Sequence, residues 1–215
     1  ASLVAQYDPV LVDAYLRGEF VSFTRDKVYH AYDRIKHDTD REATPGERLH
    51  VGIDFNIGGC CATVWVVDGR TPVAVGEFVA KDTRDFCTRL AKYRDHPITV
   101  YPDASGKAAR TNAAESDLDI IQQAGFRVDA PKANPAIRDR VNAVNGLFAH
   151  DRIRINAAKC PELADALELQ GYDDGAPEKF DQHPAIDDWC DSAGYFLHRR
   201  FPISRPVVKG IRGVA

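Results

Sequence analysis

Three short apolar runs between residues 49 and 79 constrain the fold of this chain more than any other feature. The runs cover 49–54, 62–68 and 72–79, and each has the length and alternation of a β-strand. Parallel pairing of consecutive strands needs a crossover of about a dozen residues or more, and the connections here are shorter. The pattern therefore predicts a three-stranded antiparallel meander.

Helices alternate with strands in the rest of the chain. Helical periodicity over 82–94, with Asp82 in the N-cap position, is followed by a strand at 98–101, a helix at 112–124 and a strand at 126–129. Strands joined through a helix pair in parallel with a right-handed crossover. The remaining predicted elements are helices at 135–150, 161–170 and 185–200 and a short strand at 152–155. The sequence thus predicts an α/β fold with a mixed sheet, the meander plus parallel strands, flanked by helices.

The chain has 215 residues, which is enough for one α/β domain with a substantial core. The first 46 residues are weakly periodic, with a short helix predicted at 9–18, strands at 18–23 and 27–32, and a polar stretch at 36–46. We interpret 1–46 as a linker, 47–201 as the domain and 202–215 as a basic flexible tail. The start at Ala1 without a signal peptide predicts an artificial boundary or a fragment of a longer chain.

The cysteine and apolar patterns bear on the cellular compartment. Five cysteines without CxxC spacing predict reduced thiols in a cytosolic protein. No apolar run approaches the roughly 18 residues that a membrane span needs. We therefore expect no membrane association.

Aspartates follow or open apolar elements at three places. Asp54 ends the first strand, Asp103 follows the strand at 98–101, and Asp187, Asp188 and Asp191 open the last helix. Adjacent parallel strands place their carboxyl ends at one edge of a sheet, so Asp54 and Asp103 would face one cleft if their strands are neighbours. Residues three apart on a helix share a face, so Asp188 and Asp191 can join them.

Crowded carboxylates indicate a divalent metal site. Like charges raise one another's pKa values unless a cation lies between them, and Mg²⁺ and Mn²⁺ prefer oxygen ligands. Two such ions can clamp a phosphodiester for hydrolysis. Each aspartate alone is more typical of a turn or a helix cap, but the combination favours the metal site.

Net charge gives a different indication from charge distribution. The chain carries 28 Lys and Arg against 32 Asp and Glu, a net charge of −4, whereas nucleic-acid-binding domains are usually basic. Ten of the acids lie between residues 162 and 191, and none follows residue 191, where five bases occur. This distribution indicates an acidic site beside a cationic surface.

Four segments resemble the C-terminal nuclease domain of the large terminase subunit of tailed bacteriophages, which has the ribonuclease H-like fold. They are 51–56 (VGIDFN), 101–106 (YPDASG), 134–142 (NPAIRDRVN) and 186–195 (IDDWCDSAGY). The likeness extends over about 49–201, and 15–21 with 28–29 resemble the segment that leaves the ATPase domain in such proteins. No GxxxxGK[ST] loop is present in the sequence, so the motor half is not expected here.

The resemblance implies a role for each matching residue. Asp54 corresponds to a carboxylate that bridges both metals, Asp103 to the second ligand, and Asp188 to the third, with Asp191 as a further ligand and Asp187 as the alternate. His183 is a candidate proton carrier or outer ligand. Three basic residues of the third segment and its approach would contact DNA phosphates, or else form a solvated helix face: Lys132, Arg138 and Arg140.

The implied activity is a metal-dependent endonuclease that cleaves concatemeric double-stranded viral DNA during genome packaging. The resemblance implies two Mg²⁺ or Mn²⁺ ions per site, low sequence specificity and action in the host cell cytoplasm. Its implied partners are double-stranded DNA, the ATPase domain of the full-length chain, the small terminase subunit and the portal protein. The alternatives are a non-catalytic DNA- or protein-binding module and a nuclease like the Holliday-junction resolvases. The segment 54–59 also resembles a phosphate loop of the actin and sugar-kinase fold, but the chain has no room for the second domain of that fold.

Overall fold

The computed structural model describes residues 27–56, 59–104, 115–172 and 184–203. The predicted helix at 9–18, the predicted strand at 18–23 and His183 lie outside these residues, as does the tail from residue 204 onwards.

A single six-stranded sheet organises the described residues. Its strands are β1 (Leu49–Asn56), β2 (Gly59–Asp68), β3 (Thr71–Ala80), β4 (Ile98–Pro102), β5 (Arg127–Val128) and β6 (Arg154–Ile155). Their spatial order is β5-β4-β1-β2-β3-β6. β1 pairs antiparallel with β2 and β2 with β3, which confirms the predicted meander. β4 lies parallel to β1, β5 to β4 and β6 to β3, so the sheet is mixed as predicted.

Within the described residues, five helices flank the sheet. They are α1 (Thr83–Leu90), α2 (Asp117–Gln123), α3 (Ile137–Ala149), α4 (Pro161–Leu169) and α5 (Pro184–Arg200), and a 3₁₀ turn, Ala91–Tyr93, continues α1. Asp82 caps α1 as predicted, because its side chain accepts from the backbone amide of Asp85 at 2.8 Å. Ser116 and Asp119 form a reciprocal capping box that starts α2.

Each face of the sheet covers its own core. Phe86 and Leu90 of α1 and Ile121 of α2 pack on one face. Leu147 and Phe148 of α3 pack on the other, together with buried side chains of α4 and α5. Because successive side chains of a strand point to opposite faces, this division decides which strand residues meet α5.

Residues 27–46 are the described part of the predicted linker, and their first residues pack on the second of these cores, whereas Ala43 packs on the first. Val28 and Tyr29 are buried in the second core, and the Val28 amide donates to the Gln170 carbonyl at 2.8 Å. The Asn145 side chain donates to the Val28 carbonyl at 2.9 Å and accepts from the Ala31 amide at 3.3 Å. The prediction of a strand at 27–32 was wrong. Only Lys27 of this segment makes a β-bridge, and the chain forms turns from residue 28 onwards, where the bonds to Gln170 and Asn145 hold it.

All five cysteines are free thiols, four of them buried. Across the described ranges, no helix is both long and apolar enough to cross a membrane.

Candidate functional site

Parallel pairing of β1 and β4 brings Asp54 and Asp103 to the same edge of the sheet. The register matches Ile53 with Pro102, so the two aspartates are the next residues on neighbouring strands. Leu49, Val51 and Ile53 point into the core beneath α1 and α2, so Asp54 points to the opposite face, where α5 lies. The predicted juxtaposition of the two strand ends is present.

A glycine allows α5 to approach β1 closely. A Cβ atom at Gly52 would collide with the backbone carbonyl of Ser192. The Ser192 hydroxyl also lies 3.3 Å from the hydroxyl of Thr63 on β2. A glycine inside a strand marks such an approach of another backbone, and this one fixes the height at which α5 crosses the sheet.

The crossing at Ser192 sets Asp188 and Asp191 beside Asp54. Asp188 precedes Ser192 by four residues, so it lies on the same helix face one turn nearer the N-terminus. Burial raises the pKa of Asp54 to about 8, and the negative charges of Asp191, Asp188 and Asp103 contribute to the rise in that order. Four carboxylates from β1, β4 and α5 thus share one electrostatic environment, the acidic cluster.

Asp103 is buried, and Asn134 holds it in place. The Asn134 side chain donates to Oδ2 of Asp103 at 3.4 Å and accepts from the amide of Ala104 at 2.5 Å. Asn134 stands just before α3, so the loop that leads into this helix is tied to the end of β4.

Asp191 forms a buried ion pair. Nη1 and Nη2 of Arg140 each lie 3.0 Å from an oxygen of the Asp191 carboxylate. Burial raises the pKa of Asp191, and the Arg140 charge and hydrogen bond oppose that rise. Arg140 also stacks on the ring of Tyr195, 4.4 Å from its centroid.

Asp187, the alternate ligand, is turned towards another part of the molecule. Its Oδ1 accepts from the side chain of Gln170, at the end of α4, at 2.6 Å. Asp188 is therefore better placed than Asp187 to act with Asp54.

The donor set of the cluster consists of carboxylate oxygens, the ligands that hard divalent cations prefer. Among the described side chains, however, no three from His, Cys, Asp or Glu converge closely enough to hold a metal ion as they stand. Two of these carboxylates are held by other side chains, since Arg140 donates a hydrogen bond to Asp191 and Asn134 donates one to Asp103. The carboxylate chemistry of the cluster fits a divalent cation.

The three basic residues predicted to contact DNA do not form one surface. Lys132 and Arg138 are exposed, in the loop before α3 and in its first turn. Arg140 is only 5% exposed and points into the acidic cluster. It is thus separated from the other two, because it is buried and pairs with Asp191 inside the protein.

Sequence reasoning missed two contributors to the site. Gly52 was visible as a glycine inside an apolar strand, which is a known mark of close backbone approach. Asn134 lies in a segment singled out by resemblance, but no local pattern shows that its amide reaches Asp103, 31 residues away.

Comparison with known proteins gives a consistent family match. The model of the terminase RNase H-like domain family matches residues 52–200. Among curated proteins, none matches the chain.

Solved structures share this fold at low sequence identity. The large terminase of a thermophilic bacteriophage, in its third crystal form, superposes with a TM-score of 0.71 at 19% identity, covering 91% of this chain and 50% of that chain. The nuclease domain of the large terminase from bacteriophage SPP1, solved with bound Mn, superposes with a TM-score of 0.51 at 19% identity. The match covers 75% of this chain and 92% of that chain. The large terminase nuclease of the thermophilic phage G20c, with bound magnesium, superposes with a TM-score of 0.56 at 14% identity. The match covers 81% of this chain and 97% of that chain. The chain therefore spans about half the length of the first of these proteins.

Proposed function

Because the chain belongs to the terminase RNase H-like domain family, we propose that it is a metal-dependent endonuclease that cleaves concatemeric double-stranded viral DNA during genome packaging. One observation carries the proposal: Asp54, Asp103, Asp188 and Asp191, from three separate elements, act on one another at the end of the sheet where β1 and β4 meet. Carboxyl groups whose pKa is raised by burial and by neighbouring charges are typical of functional sites.

Asp54, Asp103 and Asp188 are the residues that would hold the metal, with Asp191 as a further ligand. We propose two Mg²⁺ or Mn²⁺ ions per site. Support comes from the nuclease domains of SPP1 and G20c, which were solved with bound Mn, cobalt and magnesium. Bound divalent ions supply an activated water and stabilise the leaving oxygen of a phosphodiester.

The protein itself orients the ligands and the DNA. The bond from Asn134 fixes one oxygen of Asp103, in the way that outer hydrogen bonds commonly orient metal ligands. Lys132 lies two residues before Asn134 and is exposed, and Arg138 is exposed in the first turn of α3. We propose that these two cations bind DNA phosphates beside the cluster, which gives affinity without sequence preference.

The remaining parts of the proposed function concern the longer protein. The same large terminase from a thermophilic bacteriophage was also solved in complex with ATP-gamma-S, and this chain covers 52% of it in that form. We propose that an ATPase domain completes the protein and that the small terminase subunit and the portal protein are its partners. The site of action is then the cytoplasm of the host cell.

Plasmid cleavage tests the nuclease proposal. The protein is incubated with supercoiled plasmid and Mn²⁺ or Mg²⁺, alongside Asp54→Asn and Asp103→Asn. We expect nicked and linear products from the wild type and a loss of at least about a hundredfold in each variant, the scale on which one electrostatic contact acts in an active site.

The matched control is Asp68→Asn, which removes the same charge from an exposed residue at the far end of β2. Intact plasmid with the wild type under both metals would favour the binding-module alternative. Unchanged cleavage by folded Asp54→Asn would remove Asp54 from the site.

A further inference from the structure

The nuclease proposal does not use the position of Arg140. It lies in the first turn of α3, 5% exposed, with its guanidinium against both oxygens of Asp191 at 3.0 Å. Since it is buried, it cannot reach a DNA phosphate from this position. Its role must be sought inside the acidic cluster.

Two residues of α5 besides Asp191 pack against Arg140. The face of Tyr195 lies 4.4 Å from the guanidinium carbon, an attractive distance for a cation over an aromatic ring. At Gly194 a Cβ would stand 3.7 Å from both Cβ and Cδ of Arg140, an ordinary contact distance, so the backbone of α5 lies close beside the arginine stem. The arginine is therefore fixed by packing, whereas the Asp191 side chain keeps 26% of its surface exposed.

A buried arginine has a high desolvation cost unless its partner compensates it. Here the partner belongs to a group of four carboxylates that repel one another. The guanidinium supplies positive charge to that group, which is also what a divalent cation would supply.

We propose that Arg140 is a built-in counter-ion of the acidic cluster, which competes with divalent cations for Asp191 and so lowers the affinity of the site for metal. The inference rests on the proposed function, because it assigns a role towards the metal. Arg140 acts through Asp191 and is thus a positioning residue.

Two physical effects give the competition its direction. The two-pronged contact occupies the side of Asp191 that faces Arg140, so the carboxylate must turn away to ligate an ion. The fixed positive charge also repels any cation that enters the cluster, and Coulomb energies in a partly buried site are several-fold larger than in water. Removing the arginine should therefore lower the stability of the metal-free protein and raise its affinity for metal.

Arg140→Gln tests this directly, with binding of Mn²⁺ measured by calorimetry and thermal unfolding followed at increasing Mn²⁺. We expect a lower melting temperature without metal, Mn²⁺ binding at least about tenfold tighter, and a larger Mn²⁺-induced rise in melting temperature. In the double variant Arg140→Gln with Asp191→Asn, we expect Mn²⁺ binding no tighter than in the wild type, because the released ligand and its negative charge are also gone.

Arg199→Gln is the matched control. It breaks the ion pair between Arg199 of α5 and Asp129, whose charged atoms lie 2.7 Å apart. Arg199 lies about 12 Å further along the helix than Asp191. We expect the Mn²⁺ affinity of this variant to equal that of the wild type. If Arg140→Gln does not fold, Arg140→Lys keeps the charge but loses the two-pronged contact, and should still bind Mn²⁺ more tightly than the wild type.

Unchanged or weaker Mn²⁺ binding in the Arg140 variants would overturn the inference, even if the wild type cleaves plasmid. Failure of the nuclease proposal has a different signature, namely intact plasmid with the wild type. If the wild type shows no response to Mn²⁺ and Arg140→Gln gains one, the competition is supported; if neither responds, it is refuted.

Discussion

Asp54 combines partial burial with three neighbouring negative charges, which raise its pKa to about 8. An unfolded aspartate titrates at about 3.9. The folded protein thus retains a proton that the unfolded chain has lost, and the stabilisation from this group is complete below about pH 4 and is lost as the pH rises through about 8.

The first prediction concerns pH. Without metal, the melting temperature of the wild type should fall between about pH 6 and about pH 8.5, and Asp54→Asn should show a shallower fall because its side chain does not ionise. Since carboxylate ligands must lose their protons to bind metal, the rise in melting temperature caused by Mg²⁺ should grow over the same range. Thermal unfolding at several pH values, with and without Mg²⁺, measures both. A stabilisation by Mg²⁺ that is constant with pH would contradict the assignment of Asp54.

Single residues differ in how far the sequence predicts their roles. The juxtaposition of Asp54 and Asp103 was predictable, because a strand end is visible in the apolar pattern and parallel strands bring their ends together, whereas their role as ligands stays a prediction. Arg140 was assigned to a DNA-binding surface, because its spacing from Arg138 does not reveal that one side chain is exposed and the other is turned towards Asp191. That information resides in tertiary packing, across the 51 residues that separate the partners.

At the level of elements, the contact between β1 and α5 determines how the parts of the acidic cluster are placed. The backbone of α5 lies against Gly52, and this contact positions the helix that bears Asp188 and Asp191. The site is therefore sensitive to a change that adds a single carbon atom outside it.

Gly52→Ala should separate α5 from β1. The new Cβ meets the Ser192 carbonyl, a backbone atom that only moves with the helix, and such overpacking typically costs about 1–3 kcal/mol. We expect lower stability in chemical denaturation together with loss of plasmid cleavage, because the α5 carboxylates are displaced. Gly194→Ala is the control, since its Cβ would meet only ordinary contacts at 3.7 Å. Wild-type stability in Gly52→Ala would show that this contact does not set the position of α5.

Most elements were predictable because their periodicity is strong, and the failures have local causes. The helix over 161–170 was predicted within one residue of its end, since Pro161 opens it and its apolar residues recur at helical spacing. The alternation over 27–32 resembles a strand, but its backbone groups bond to Gln170 and Asn145, which no local pattern reveals.

For the molecule as a whole, the boundary placed near Glu47 stays a prediction. The residues just before it contribute buried groups to the second core, among them Val28, Tyr29 and His37. Nε2 of His37 donates to the carbonyl of Phe148 at 3.1 Å, while its Nδ1 accepts from the Asp33 amide at 3.0 Å, so the ring ties the segment to α3.

A truncation tests how far the domain extends. A chain that begins at residue 47 should be less stable than one that begins at residue 27, because burying one large side chain such as that of Val28 or Tyr29 contributes about 1.5–3 kcal/mol. Urea denaturation of the two proteins measures the difference. Equal midpoints and slopes would show that residues 27–46 are dispensable for folding.

The net charge of −4 also has a different meaning at this scale. Four of the acids lie in one cluster, whereas Lys132 and Arg138 are exposed, so the sum combines a buried anionic centre with cations at the surface. A whole-chain total therefore does not exclude a nucleic-acid substrate.

The anchoring of Val28 has a mechanical consequence. A pull on the chain ahead of Lys27 would load the bond from the Val28 amide to the Gln170 carbonyl and the bond from Asn145 to the Val28 carbonyl. Gln170 in turn donates to Asp187, in the first turn of α5, one residue before Asp188. Two hydrogen bonds thus connect Val28 to the helix of the acidic cluster, and tension entering from that side would act on this connection.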